Sequence, residues 1–505
     1  MYKLKELLDR LLVSTSVLSE VVFAKEQNLL VFDPNNIFTL DTVLDFNKGS
    51  FDKVVVTKDN NGEVKLLNIR NTYASKGVFI SDIIHTASFS KLIASWNSDT
   101  PIGTAISVEA QVLVNGEWSD WISWGSWSTN KERFSVNEDI NTKLAGICTD
   151  TLYVKDDKKA TAFRLKTILS STKLKGTPIL RSVSATIDLG SGAKRVYPSN
   201  ENIEAIENVD KNLNVPAFSQ LVRDPQIAGS ICNPTSATCT INYYLEKKNQ
   251  SSVLPEESAY AIYDSVYGGF GNWSFGAAYI GSFGLNCRVE FGASLYDLKR
   301  EIYNERPVII SVKYAKNENN VDPNVAKFPL IHGFPMLVTR GHLITVTGFT
   351  KIDGKEYVFV NDSAATSNAE AKLIYLAHEL DAAWATSGRV MYTTNDLTVA
   401  TYNPLQRMPS DLYKTKNANN DGLVDCLELQ LDCKGNIIDL SNDNVKIIMV
   451  SKDGGSYEYI IPDLNANLWF ANNAPSGEYS FIFIAKDDKE YTAKILWPNG
   501  KLDKE

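Results

Sequence analysis

Apolar residues recur at every second position through much of the stretch from about 40 to 195, and this period-two pattern most constrains the fold. In "TAISVEAQVLVNGEWSDW", Ile106, Val108, Ala110, Val112 and Val114 share one face of a strand. Asn115-Gly116 then supplies the residues a tight hairpin turn needs. "KATAFRLKTIL" and "ILRSVSATIDL" read as further strands. Strands that are apolar on one face are best buried in two packed sheets, so residues 41–200 are expected to form a β-sandwich. Trp118, Trp121, Trp124 and Trp127 lie within it. Spacing by three alternates faces on a strand, which argues for core and edge packing over one sugar-binding platform.

The pattern then changes twice. "YPSNENIEAIENVDKNLNVPAFSQ" is polar and acidic and marks a boundary. Residues 205–400 begin with helix signals, including the cap-like start that Ser294 and Asp297 give to "SLYDLKREIYNE", and pass to the strands "PVIISVKY", "HLITVTGF" and "YVFVND". That is an α+β order. From 401 to 505 short alternating strands return between Asp, Asn and Gly turns, as in a small immunoglobulin-like β-sandwich. Residues 1–40 read as an N-terminal helical segment. With 505 residues the chain exceeds what one core supports, and a multi-domain β-rich protein is expected.

Composition excludes several classes. The net charge is −9 and no basic stripe is visible, which argues against a nucleic-acid partner. No apolar run has the length of a membrane span. Glu6, Asp9 and Arg10 interrupt the opening residues, so no export signal is read there; cytoplasm and cell surface both stay open as locations. Oligomeric state is not legible. Six cysteines do not make a disulfide framework, and Cys426 and Cys433 alone are spaced to invite pairing.

One cysteine differs from the others. "SICNPTSATCTINYYLEK" sets Cys232 at the start of a helix, with Pro234 in its first turn and Ser230 or Asn233 available as a cap. The positive end of the helix dipole favours thiolate, the nucleophilic form. A thiolate nucleophile needs a base held by a third group. His342 opens the strand "HLITVTGF", and the following strand ends in Asn361 and Asp362. A two-residue turn at Asp353-Gly354 places Asn361 on the face of His342, and a three-residue turn places Asp362 there. Gln226, six residues before Cys232, offers amide N–H groups to a developing oxyanion alongside the Cys232 backbone N–H. The competing reading is a buried thiol and a structural histidine. His332 and His378 are assigned to surface or structural positions.

Gln-x5-Cys at a helix start, a Gly-His strand and Asn-Asp-small resemble the papain-like cysteine peptidases of the bacteriocin-leader (double-glycine) processing family, and more closely their stand-alone bacterial relatives. "GNWSFGAAYIGSFG", "VNDSAA" and, in the preceding sandwich, "ASWNSDTPIGT" and "GEWSDWISWGSW" also match that group. The resemblance spans roughly residues 80 to 395. It implies Cys232 as nucleophile, His342 as base, Asp362 as orienting carboxylate and Gln226 at the oxyanion, with Trp273 and Gly341 lining the substrate cleft. It implies a peptide substrate and no cofactor. The family's usual Asn-Asp-Pro is Asn-Asp-Ser here, so a constraint on Asp362 is missing. Acyl transfer by the same residues, or an inactive binding protein, are the rival functions.

"NANNDGLVDCLE" has calcium-loop spacing at Asn417, Asn419, Asp421, Asp425 and Glu428 around Gly422. Asn at the first position lowers its charge, and the residues after it read as strand, so an Asn/Asp-rich turn is the preferred assignment.

Overall fold

The computed structural model describes residues 36–396 except 60–61, 102, 130–132, 137–141, 173–175, 189–194, 196, 199, 251 and 316–327; beyond 396 it describes the strands between 413 and 497. The architecture is multi-domain and rich in β-sheet, as the period-two pattern requires.

The first half is a sandwich of two seven-stranded antiparallel sheets. In one, strand Lys91–Asp99 pairs with Ile179–Ile187; in the other, Thr104–Val114 pairs with Ala160–Ser171. Strand Thr104–Val114 buries its alternate residues, and Val114 and Glu117 pair across Asn115-Gly116, both with positive φ. Residues Ile37–Leu40 pair with Val183–Thr186, so the sandwich begins before position 41 and these four residues are strand, not helix. Register explains this, because joining the sheet satisfies their backbone groups. Trp124 and Trp127 are fully buried. Trp118 and Trp121, against the alternation expected, flank the same guanidinium of Arg164, at 5.2 and 5.1 Å. The chain breaks strand between Trp118 and Ile122, which cancels the alternation.

The second half has five helices that matter for the site: α1 (Cys232–Lys247), α2 (Pro255–Ile262), α3 (Trp273–Ser282), α4 (Leu295–Tyr303) and α5 (Ala377–Thr386). They surround a seven-stranded antiparallel sheet of β1 (Lys211–Asn212), β2 (Leu285–Phe291), β3 (Val308–Ala315), β4 (Val338–Ile352), β5 (Lys355–Asn361), β6 (Lys372–Leu376) and β7 (Val390–Asp396). The order is β2-β7-β3-β4-β5-β6, with β1 also paired to β4. α4 starts with the capping box expected from Ser294 and Asp297.

α1 is buried on every side from Asn233 to Leu245. Several of its polar residues are bonded internally: Ser236 donates to the Leu343 carbonyl (3.0 Å), Thr238 to that of Pro234 (2.9 Å) and Asn242 to that of Val253 (2.9 Å).

The two halves do not have separate cores. Buried apolar residues from Phe46 to Tyr392 form one continuous cluster. Strand Lys91–Asp99 of the sandwich meets α3 and β2: Ser274 donates to the Ala94 carbonyl (2.7 Å), Val289 N–H to Ser95 Oγ (2.9 Å), and Trp96 packs edge-on to Phe275 at 6.2 Å. The polar stretch between the halves is a strap, since Tyr197 OH donates to Asp297 (3.1 Å) and Glu207 pairs with Lys299 (3.1 Å), while Arg195 just ahead of it pairs with Glu290 (2.6 Å) and Asp297 (2.8 Å). The last strands form antiparallel sheets of three and four strands. Of the calcium-loop residues only Glu428 falls on a described strand, Cys426–Leu429; the loop and Cys433 lie outside the described residues.

Candidate active site

Cys232 is the first residue of α1, so its own N–H has no partner within the helix. The cap is Ile231, without a side-chain bond; neither Ser230 nor Asn233 fills the role. Asn233 turns inward, where burial obliges it to bond: its Nδ2 donates to the carbonyls of Phe270 (2.9 Å) and Asn272 (3.2 Å). Tyr392 OH donates to Asn233 Oδ1 (3.1 Å). The residue after Cys232 thus locks the helix start to the loop before α3.

His342, on β4, is buried and its Nε2 bonds Asp362 Oδ1 at 2.8 Å. Asp362 is 0% exposed and also accepts from the Ala364 N–H (2.9 Å) and the Tyr375 hydroxyl (2.9 Å). With Nε2 committed, Nδ1 is the ring nitrogen left for the Cys232 sulfur. Phe334 stands edge-on to the imidazole at 5.8 Å and shields it. The loop carrying Phe334 is tied to α5 by His332, whose N–H donates to Glu379 (2.9 Å). His332 and His378 are exposed.

Register decides which of Asn361 and Asp362 reaches His342. The turn between β4 and β5 is the two-residue form, with Ile352 opposite Lys355 and positive φ at both Asp353 and Gly354. Continued unbroken, that register would put Asn361 on the face of His342. A bulge between Val346 and Gly348 leaves Thr347 without a β5 partner and shifts the pairing by one. Asp362 therefore takes the His342 face, while Asn361 donates to the Pro216 carbonyl (2.9 Å). Gly348 permits the bulge to dock β1: a Cβ there would lie 2.2 Å from the Lys211 carbonyl oxygen.

Electrostatics couple the three side chains. Burial pushes the Cys232 thiol up, but the His342 hydrogen bond and charge, with backbone groups of Leu343 and Asn233, outweigh it and hold the thiol below its ordinary value. Burial pulls His342 down, yet the Asp362 charge and hydrogen bond, then Cys232, raise it to about 10. The arrangement favours a thiolate–imidazolium pair. Buried Cys239 and Cys287 are pushed by desolvation to about 12, so they stay protonated thiols.

The structure does not bring Gln226 to this cluster. Its backbone N–H donates to Asp224 Oδ1 (2.9 Å) in the Asp224-Pro225 turn, and its side chain is exposed. The buried glutamine is Gln220, which the sequence reading passed over. Gln220 Nε2 donates to the Ala228 carbonyl (2.8 Å), and its Oε1 accepts from Ser363, next to Asp362 (2.6 Å). The apolar run that precedes it was the available signal. Gly341 is exposed beside His342, and Trp273 opens α3, half-buried, with its N–H on Asp150 of the sandwich. Among the described residues no group of three or more His, Cys, Asp and Glu side chains could hold a metal ion.

Comparison with known proteins places both halves. Residues 38–188 match the peptidase C39 N-terminal domain, and residues 212–392 match the peptidase C39-like family. No curated protein matches the chain. Among solved structures, an insecticidal crystal protein, Cry2Aa, aligns at 11% identity over 30% of this chain and 21% of that one, with a TM-score of 0.16. An agarase, AgWH50C, aligns at 9% identity over 43% and 32%, with a TM-score of 0.17. The chain thus spans a third or less of either protein, and neither likeness carries an argument. The two domain matches settle the family: the chain belongs to the C39 papain-like cysteine peptidases and carries that family's N-terminal domain.

Proposed function

We propose that the protein is a cysteine peptidase in which Cys232, His342 and Asp362 form the catalytic triad. The observation that carries this reading is the line from the half-buried helix-start thiol through buried His342 to Asp362, itself held by Ala364 and Tyr375. The Cys232 thiolate attacks the peptide carbonyl, and the carbonyl electrons move to oxygen. The free Cys232 N–H at the start of α1 donates to that oxyanion. Collapse expels the amine, which takes its proton from the His342 imidazolium, and leaves a thioester. Water then attacks with its proton going to His342, and thiolate and acid are released. Asp362 holds the ring and stabilises its charged form. Residues 205–400 are read as the papain-like α+β domain, the residues from Ile37 to about 200 as its sandwich and 401–505 as an immunoglobulin-like appendage. The substrate is a peptide, and no metal or organic cofactor enters any step.

The test is to incubate the protein with a peptide library, quench in acid, and map the mass added to Cys232. An acyl adduct that Cys232→Ala and His342→Ala both abolish supports the reading. Product acids carrying oxygen from labelled water identify hydrolysis, and amide products identify acyl transfer. Retained turnover in Cys232→Ala rejects the triad.

A further inference from the structure

The loop between α2 and α3 is built partly by the sandwich. Arg133, 0% exposed, extends from the sandwich and donates through Nε to the Tyr263 carbonyl (3.3 Å) and through Nη2 to that of Tyr260. The Arg133 carbonyl accepts from the Ser265 N–H (2.9 Å) and hydroxyl (2.9 Å). Ser135 N–H donates to Asp264 Oδ1 (2.9 Å). Asp150 Oδ2 accepts the Trp273 N–H at 2.6 Å, and Asp150 is buried. Each of these bonds joins the sandwich to this loop or to the helix end on either side of it.

Asp264 then organises the loop itself. It is fully buried, and its Oδ1 also accepts the N–H groups of Val266 (3.1 Å) and Tyr267 (3.2 Å), while Oδ2 accepts from Asn272 (2.9 Å). The result is a tight turn that presents Tyr267. Its ring lies across Gly269 and Gly271: a Cβ at Gly269 would stand 3.0 Å from Tyr267 Cε1, and one at Gly271 3.0 Å from the phenol oxygen. A side chain at either position would push the ring by a few tenths of an ångström. Asn233, adjacent to Cys232, grips the same loop at Phe270 and Asn272. The ring thus lies over Gly271, between the two carbonyls held by Asn233, the residue that follows the nucleophile. Yet Tyr267 is 51% exposed, and Val266 is 49% exposed. Exposed apolar surface beside a reactive thiol is surface a ligand can cover.

We infer that Tyr267 is a substrate-contacting, specificity-determining wall of the Cys232 site, and that the sandwich holds it there through Arg133, Ser135 and the positioning residue Asp150. The ligand is an extended peptide whose side chain or backbone next to the scissile carbonyl packs on the phenol ring. This rests on the peptidase reading. It also gives the N-terminal domain a role in the site: without it the loop loses the acceptors and donors that fix Tyr267.

Two alkylating probes separate the parts. Iodoacetamide reports the Cys232 thiolate alone, and acetyl-Gly-Gly chloromethyl ketone adds peptide contacts. Tyr267→Ala is expected to raise the half-saturating concentration of the peptidyl probe roughly tenfold, about one such contact's worth. The iodoacetamide rate should move less than threefold. Gly271→Ala, which shifts the ring slightly without removing it, should act in the same direction and more weakly. Asp150→Ala should mimic Tyr267→Ala, and Asp150→Asn, which keeps an oxygen for the Trp273 N–H, should recover most of the affinity. Hydrogen exchange adds a readout independent of alkylation: residues 264–273 should exchange faster in Asp150→Ala while strand Thr104–Val114 does not. Fast iodoacetamide labelling with unchanged peptidyl-probe saturation in Tyr267→Ala and Gly271→Ala overturns the inference alone. A Cys232 inert to both probes overturns the peptidase reading and this inference with it.

Discussion

Asp362→Asn isolates the charge of the orienting carboxylate. The Ala364 N–H points at Oδ1, so the asparagine carbonyl must occupy that position and its NH2 must face the Tyr375 oxygen. In that orientation the carbonyl still accepts from His342 Nε2, and the imidazole keeps its tautomer. Only the negative charge is lost. His342 is then governed by burial, which favours its neutral form, and Cys232 loses the imidazolium that outweighed its own desolvation. A thiol at the ordinary value of about 8.5 is only about 3% thiolate at pH 7, and burial lowers that further. The thiolate population at neutral pH should therefore fall, to about 3% or less. Difference titration of thiolate ultraviolet absorbance, referenced to Cys232→Ala, measures this directly. Asp362→Ala should also destabilise the fold, because it leaves several buried donors without an acceptor, at about 1–3 kcal/mol for each. A thiolate in Asp362→Asn that titrates as in wild type would refute the reasoning, because the carboxylate charge would then contribute nothing to the pair.

Two further outcomes follow from the same geometry. Gly348→Ala forces a Cβ to 2.2 Å from the Lys211 oxygen, backbone against backbone, so β1 must separate from β4. It should cost about 1–3 kcal/mol in urea unfolding and lower thiolate content by disturbing the bulge that aims Asp362. A Cys232→Ala background removes the thiolate's opposite proton linkage and leaves that of His342. Asp362 still holds the folded value of His342 above the ordinary 6.5, without the share that Cys232 adds, so the His342 contribution to stability is complete below 6.5 and is lost as pH rises through that folded value. The gap in urea midpoint between this variant and the double variant with His342→Ala should narrow across that window.

The strands were legible because alternation reports which face is buried, and α4 because its cap is local chemistry at Ser294 and Asp297. The choice between Asn361 and Asp362 was not legible. The turn at Asp353-Gly354 could be enumerated, but the bulge at Thr347 answers to β1, whose Lys211–Asn212 pairs with β4 from far along the chain. Gln226 fits the motif spacing, yet the Asp224-Pro225 turn faces it outward. The sandwich's part in the loop at Asp264 was equally hidden. It depends on contacts from Arg133, Ser135 and Asp150, which are more than a hundred residues away and carry no periodic signal.

The most direct test of the central claim is the iodoacetamide labelling rate of each cysteine against pH, read by peptide mass mapping in wild type and His342→Ala. The account predicts that Cys232 labels fast well below the ordinary thiol value of about 8.5. Cys239 and Cys287 should stay slow, and the mutant should lose the fast phase. A Cys232 in the folded protein that labels no faster than Cys239 or Cys287 would contradict the thiolate–imidazole site on which the account stands.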